Sequence, residues 1–284
     1  MQIETSRRGF LSAAAGIAGM SALGVENLSA IIEAEPGGIK LGVATYSLRA
    51  FDRPTAIEMI KKLKVKYVSI KDVHLKIGEP AEATRAGRAE FDAAGVIVTS
   101  GGNVDMTKGT SVETLRPQFE YAKNARLPMM VCAPTKENIK YVEALVKEYN
   151  IRIAIHNHGP EDKHFPTPQS VLDTVRNLDK RCGLCMDIGH TSRTGTDIVK
   201  AAAEAGDRLF DMHFKDLSDP MNRDSQCDVG DGKLPIIPLL KQLRKMGYQG
   251  CFNLEYEIDA KDPMMGMQRS YSYARGVLQT LASV

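Results

Sequence analysis

The stretch Phe210-Asp211-Met212-His213-Phe214-Lys215-Asp216 alternates between apolar and polar side chains. Successive side chains of a strand point to opposite faces, so Asp211, His213 and Lys215 share one face while Phe210, Met212 and Phe214 take the other. Such a strand has helices packed outside it and a polar interior that opens at its end. Phe252-Asn253-Leu254-Glu255-Tyr256-Glu257 repeats the pattern, with Asn253, Glu255 and Glu257 together. Two more apolar runs end in polar groups: Ile153-Ala154-Ile155-His156-Asn157-His158 and Leu184-Cys185-Met186-Asp187-Ile188-Gly189-His190. A buried strand gains nothing from a charged group at its end unless several such groups meet one another, a metal or a substrate. Convergence of these strand ends is therefore the expectation.

Working outward, strands are predicted at 40–46, 66–71, 96–100, 128–133, 152–156, 183–187, 209–215 and 251–255. Helical periodicity fills much of the chain between them, at 54–63, 112–125, 136–149, 168–178, 196–205 and 235–246, and another helix follows the last strand. Strand and helix alternating eight times, at about 30 residues per unit, predict an α/β chain folded as a single-domain (β/α)8 TIM barrel. A Rossmann-type sheet competes with this, but the turn Thr45-Tyr46-Ser47-Leu48-Arg49 after the first strand lacks a glycine-rich phosphate loop. Active sites of (β/α)8 barrels lie at the C-terminal ends of the strands, where His156, His158, Asp187, His213, Lys215, Glu255 and Glu257 fall.

Residues 1–30 read as a twin-arginine export signal, and 40–284 as the barrel. Ser6-Arg7-Arg8-Gly9-Phe10-Leu11 leads into a stretch at 12–25 that is too short and too rich in Ala and Gly for a membrane span. The expected home is the periplasm, with no membrane anchor after signal removal. A net charge of +2 gives no reason to expect nucleic acid as a partner. Cys132, Cys182, Cys185, Cys227 and Cys251 read as small core residues rather than a disulfide framework. Cys182 and Cys185 have zinc-knuckle spacing, but positions three apart on a strand face opposite sides, and no second pair follows.

Met186-Asp187-Ile188-Gly189-His190, His213-Phe214-Lys215-Asp216, Gly230-Asp231-Gly232 and Gly250-Cys251-Phe252-Asn253-Leu254-Glu255 carry a resemblance. From about residue 40 onward the chain resembles the xylose isomerase-like barrels, or sugar phosphate isomerases/epimerases. That family includes tagatose epimerase-type enzymes, inosose dehydratases and endonuclease IV. The resemblance implies one divalent metal ion held by a Glu, an Asp, a His and a Glu on the fifth to eighth strands. The last three map onto Asp187, His213 and Glu255. The first falls on His156, a departure that removes the pair of carboxylates expected on opposite sides of the substrate carbon.

The resulting metal set, His156, Asp187, His213 and Glu255, suits Mn, Co, Zn or Fe better than Ca or Mg. The metal is expected to polarise a sugar carbonyl and stabilise the enediolate formed on deprotonation. His158 or His156 is expected to take the proton, with Glu255 and Lys215 completing the catalytic group. His190, Lys71, His74, Tyr46, Lys215 and Glu257 are the expected contacts of a small carbohydrate substrate. His164 reads as a solvated loop residue, and Gly230-Asp231-Gly232 as a turn shaping the seventh loop.

Three function classes follow: a sugar isomerase or epimerase; a lyase cleaving 3-keto-glycosides by β-elimination; and a non-catalytic sugar-binding barrel, which the metal set disfavours. Loss of the second carboxylate and an expected periplasmic location, where phosphorylated sugars are scarce, raise the lyase. The export signal and modest charge argue against an endonuclease. A homo-oligomer is compatible with the sequence.

Overall fold

Eight short apolar runs pair in parallel, each with its neighbour in the chain, in a computed structural model that describes residues 38–283. The export segment read at 1–30 lies outside the described residues. The barrel strands are β1 (Lys40–Ala44), β2 (Tyr67–Ile70), β3 (Ile97–Asp105), β4 (Met129–Ala133), β5 (Arg152–His156), β6 (Cys182–Asp187), β7 (Leu209–Phe214) and β10 (Cys251–Leu254). β1 pairs with β10, Leu41 opposite Phe252, and closes the cylinder, so the expected (β/α)8 TIM barrel is the observed fold.

The helices between the strands are α1 (Arg53–Lys62), α2 (Ala81–Ala93), α3 (Val112–Asn124), α4 (Ile139–Tyr149), α5 (Pro168–Val175), α6 (Ile188–Arg193), α7 (Ile198–Ala205) and α8 (Ile236–Lys245), with α9 (Met264–Ala282) after the last strand. Local chemistry starts several of them. Ser111 and Thr167 each form a capping box with the residue three places on, and Asp52 and Asp197 accept from first-turn amides. In the loop after β7, β8 (Asp216–Leu217) and β9 (Gln226–Cys227) make a small antiparallel hairpin.

Outward-facing strand residues pack under the helices. Phe214 and Phe252 stack with ring centroids 4.1 Å apart, and the buried Tyr271 of α9 gives its hydroxyl proton to the Gly42 carbonyl at 2.6 Å. The interior is partly polar. Asp211 is fully buried there, accepting from Ser100 Oγ and Asn253 Nδ2, each at 2.7 Å.

Three expectations need correction. Phe210 does not face outward: β7 skips one residue against β6, with Leu184 opposite Leu209 and Cys185 opposite Asp211. That bulge turns Phe210 inward among Met129, Val131, Ala154 and Cys185. Gly183 leaves room for it, since a Cβ there would meet the ring at 2.4 Å. β1 ends at Ala44, because Thr45–Leu48 turns into a 3-10 helix. Its hydroxyls bond neighbouring strand ends, Thr45 accepting from the Lys71 amide and Ser47 donating to the Leu254 carbonyl. β3 runs on to Asp105, well past residue 100.

Candidate active site

Strand register brings the donors together. β6 and β7 set Asp187 opposite His213, and β7 and β10 set His213 opposite Asn253, so Lys215 and Glu255 follow side by side one step nearer the mouth. His156 ends β5, opposite Cys185. One ligand atom from each of His156, Asp187, His213 and Glu255 lies within 4.8 Å of every other. His156 Nε2 is 3.1 Å from His213 Nδ1 and 3.7 Å from Asp187 Oδ2, and His213 Nδ1 is 3.3 Å from Glu255 Oε1.

Two features test whether this set fits a metal. Neighbouring ligands around a first-row ion with bonds of about 2.1 Å stand about 3 Å apart or slightly more, as the His156–His213, His213–Glu255 and His156–Asp187 pairs do. Asp187 is fully buried, and its Oδ2 has no well-directed hydrogen bond although Lys215 Nζ lies 3.0 Å away. With one ion pair and no directed hydrogen bond, this buried oxygen keeps lone pairs that a second cation could take. Two imidazole nitrogens and two carboxylates can hold a divalent ion.

Asp187 is fixed by bonds on every other side. Its Oδ1 caps α6 by accepting from the His190 amide at 2.7 Å, its amide donates to Asn157 Oδ1, and its carbonyl accepts from Thr191 Oγ1. Asn157 and Thr191 are bonded to each other at 3.1 Å. Lys215 Nζ also bonds Glu255 Oε2 at 2.8 Å and Glu257 Oε2 at 2.9 Å. Burial disfavours this ammonium, but Asp187 and Glu255 outweigh it and hold its pKa well above the ordinary value. Burial likewise opposes ionisation of Glu255; Lys215 and His213 reverse that and hold it well below. Burial, then the neighbouring His213, pushes His156 well below its ordinary value, so His156 offers a neutral nitrogen.

Above the donor set lies a cavity of about 330 Å³ whose lining includes His158, His190, Arg193, Lys215, Arg223 and Glu257. His158 is exposed there, its ring centroid 4.4 Å from that of His190. Other expected substrate contacts are placed differently. His74 is buried with both ring nitrogens occupied, Nδ1 by Thr45 Oγ1 at 3.0 Å and Nε2 by the Phe51 carbonyl at 3.2 Å. Lys71 gives its ammonium to the Asn103 carbonyl and Asp72, and the Arg49 guanidinium covers the Tyr46 ring at 4.6 Å. None of these three is among the residues lining the cavity. The loop at 230–234 is built around Asp216, whose oxygens accept from the amides of Gly230, Gly232 and Leu234. Asn157, Thr191, Arg193 and Glu161 join the site without standing out in the sequence. Asn157, between two histidines at a strand end, carried a usable signal; the others take their meaning from contacts made by folding.

The family model of the xylose isomerase-like TIM barrel matches residues 58–277. The chain belongs to this family. An uncharacterized protein of Methanocaldococcus jannaschii is 28% identical over 116 residues, and the match spans 39% of each chain. Solved structures share the fold. IolI protein with a bound zinc atom has a TM-score of 0.70 at 16% identity, covering 85% of this chain and 99% of that one. D-psicose 3-epimerase with D-fructose has 0.68 at 15%, covering 85% and 100%. The probable 3-DHS dehydratase AsbF of Bacillus anthracis has 0.68 at 14%, covering 82% and 99%. Among the described residues no helix is long and apolar enough to cross a membrane.

Proposed function

We propose that this barrel is a divalent-metal-dependent isomerase or epimerase that removes a proton α to the carbonyl of a sugar or keto-sugar. The observation that carries the reading is the convergence of four donor side chains, three of them buried, from neighbouring barrel strands beneath an open polar cavity. Charge supports it: Asp187, Glu255 and Glu257 meet around the Lys215 ammonium, an excess of negative charge that a divalent ion would offset. Held by His156, Asp187, His213 and Glu255, such an ion would polarise the carbonyl and lower the energy of the enediolate.

The other roles belong to the chain itself. His158 takes the α-proton in this reading, which its exposure at the mouth supports. Lys215 holds Glu255 and Glu257 in fixed orientations and offers hydrogen bonds toward substrate oxygens. A cavity of about 330 Å³ suits a small carbohydrate rather than a polymer.

One observation favours a second reading, β-elimination from a 3-keto-glycoside. Epimerisation needs a proton-transfer group on each face of the carbon, and His156 in the donor set leaves β5 without a carboxylate for the second face. Elimination needs one base for the α-proton and one donor for the leaving oxygen as the C–O bond breaks and the C=C bond forms. His158 and the His190–Lys215 side can divide those tasks. Incubation in D2O with free sugars and with 3-keto-glycosides, followed by mass spectrometry and NMR, separates the two. Isomerisation conserves the carbon skeleton and incorporates deuterium, whereas elimination releases a leaving group; neither outcome on any substrate would sink both readings.

The twin-arginine segment makes the periplasm the place of action in this proposal. Replacing Arg7 and Arg8 together by Lys should strand the precursor in the cytoplasm, and an unchanged periplasmic yield would remove that part.

A further inference from the structure

His190 projects from α6 into the wall of the cavity, and its Nδ1 faces a guanidinium: Arg193 Nη2 lies 2.7 Å away. An arginine side chain has five N–H donors and no acceptor, and keeps its charge at any pH a protein survives. Only an unprotonated Nδ1 can accept that bond. The neutral ring must then carry its proton on Nε2, which has no partner among the described residues.

The guanidinium is held rigidly in this orientation. Glu161 binds it with both oxygens, Oε1 to Nη1 at 2.5 Å and Oε2 to Nη2 at 2.9 Å, and Arg193 is only 6% exposed. The two protons of Nη2 are thereby divided between Glu161 and His190. The loop after β5 is shaped around the group. Gly159 follows His158 in the left-handed region at φ +84°, and a Cβ there would lie 2.6 Å from Nη2. Surface lysine or arginine pairs hold no such fixed geometry; a bidentate pair on a buried guanidinium does.

We propose that Arg193, anchored by Glu161, is a positioning residue that locks His190 in its Nε2–H tautomer, so that His190 presents a neutral hydrogen-bond donor to a carbonyl or hydroxyl oxygen of the substrate. The use made of that donor rests on the isomerase or lyase reading; the tautomer itself does not. A neutral imidazole donor polarises a carbonyl without handing over a full positive charge, which suits a site that already carries Lys215 and would hold a divalent ion.

The test is the 15N spectrum of the imidazoles in full-length protein at one fixed pH near 7.5, with and without one equivalent of Zn2+. His190, identified by its loss in His190→Gln, should show a proton on Nε2 and a bare Nδ1. In Arg193→Met both tautomers should be populated, and turnover should fall about 10²-fold. Arg193→Lys, which restores one donor, should recover the Nε2–H form in part. Glu161→Gln alters a half-exposed residue, so it probes the anchor even if Arg193→Met fails to fold; it too should admit the second tautomer. A wild-type His190 protonated on Nδ1 overturns the proposal, as does an unchanged pure Nε2–H form in both Arg193→Met and Glu161→Gln. Because the spectrum is read without substrate, a failure of the proposed reaction would leave this result standing.

Discussion

The two halves of the barrel end their strands in similar polar residues, yet only one half gathers them into a site. After β1, β2 and β4 most of the groups bond one another or nearby backbone: Thr45 with His74 and the Lys71 amide, Lys71 with the Asn103 carbonyl and Asp72, Asn138 with the Met106 and Gly109 carbonyls, while Ser69 Oγ and Asn103 Oδ1 stay open singly. After β5, β6, β7 and β10 the side chains converge, and His156 Nδ1, Asp187 Oδ2 and His213 Nε2 are buried without hydrogen-bond partners. Residue type and position at a strand end do not separate a structural histidine from a functional one. What the ring nitrogens face does: His74 turns both to groups of the surrounding loops, whereas His156 Nε2 and His213 Nδ1 face each other and the Asp187 and Glu255 carboxylates. Buried carboxylates and imidazoles facing one another cost stability, so a cluster of them marks a place where something else binds.

The largest test of this contrast is to remove a donor from the converging half. If the proposed metal site holds, Asp187→Ala or Glu255→Ala should reduce metal content from about one ion per chain to near none, and activity by roughly 10³-fold or more, because each deletes a carboxylate of the proposed ligand set. Metal analysis of purified protein checks the first effect and a chelation series the second. Full activity in metal-free protein would abolish the distinction between the halves.

Within the active half, the two histidines of His156-Asn157-His158 should part company. His156→Ala should lose the ion, whereas His158→Ala should keep it and lower kcat by roughly 10²–10⁴, with slower entry of solvent deuterium at the α-carbon. Wild-type exchange in His158→Ala would move the base to Lys215 or Glu257.

On the other side of the barrel, His74→Ala should leave activity per folded molecule unchanged and cost about 1–3 kcal/mol of stability, because Thr45 and the Phe51 carbonyl lose a buried partner. Urea unfolding alongside turnover separates the two. A kcat loss comparable with that of His158→Ala would place His74 in the site after all.

The smallest effect is a slope. Burial, only partly offset by the Phe51 and Leu48 backbone, holds the His74 pKa below its ordinary value of 6.5. As pH falls below 6.5 the unfolded chain takes up this proton first, so the contribution of neutral His74 is whole above that pH and is lost below it. His74→Gln should flatten the fall in stability between pH 7 and pH 5 by at most about 1.4 kcal/mol per pH unit. An unchanged slope would show that His74 is already solvated.

Much of this was readable in the sequence, for reasons that are local. Alternation in Asp211-Met212-His213-Phe214-Lys215 and periodicity in the helices report which face of each element is buried, and eight repeats of that signal define the barrel. The same parity put Asp187, His213 and Glu255 at neighbouring strand ends, and the motifs around them matched a family whose model covers residues 58–277. Parity failed at Phe210, where a bulge against Leu184 and Cys185 reverses the face, because a bulge is a property of two strands together.

Sequence alone determined the fold, and it marked the strand ends where the donor residues meet and the departure at His156. Tertiary structure decided which polar groups are free to act. Whether Lys71 or Lys215 reaches substrate depends on the Asn103 carbonyl, Glu255 and Glu257, which lie 32 to 42 residues away along the chain. The roles of Arg193 and Glu161 likewise exist only once α6 and the loop after β5 have met. Periodicity is written between neighbours in sequence; hydrogen-bond satisfaction is settled between neighbours in space.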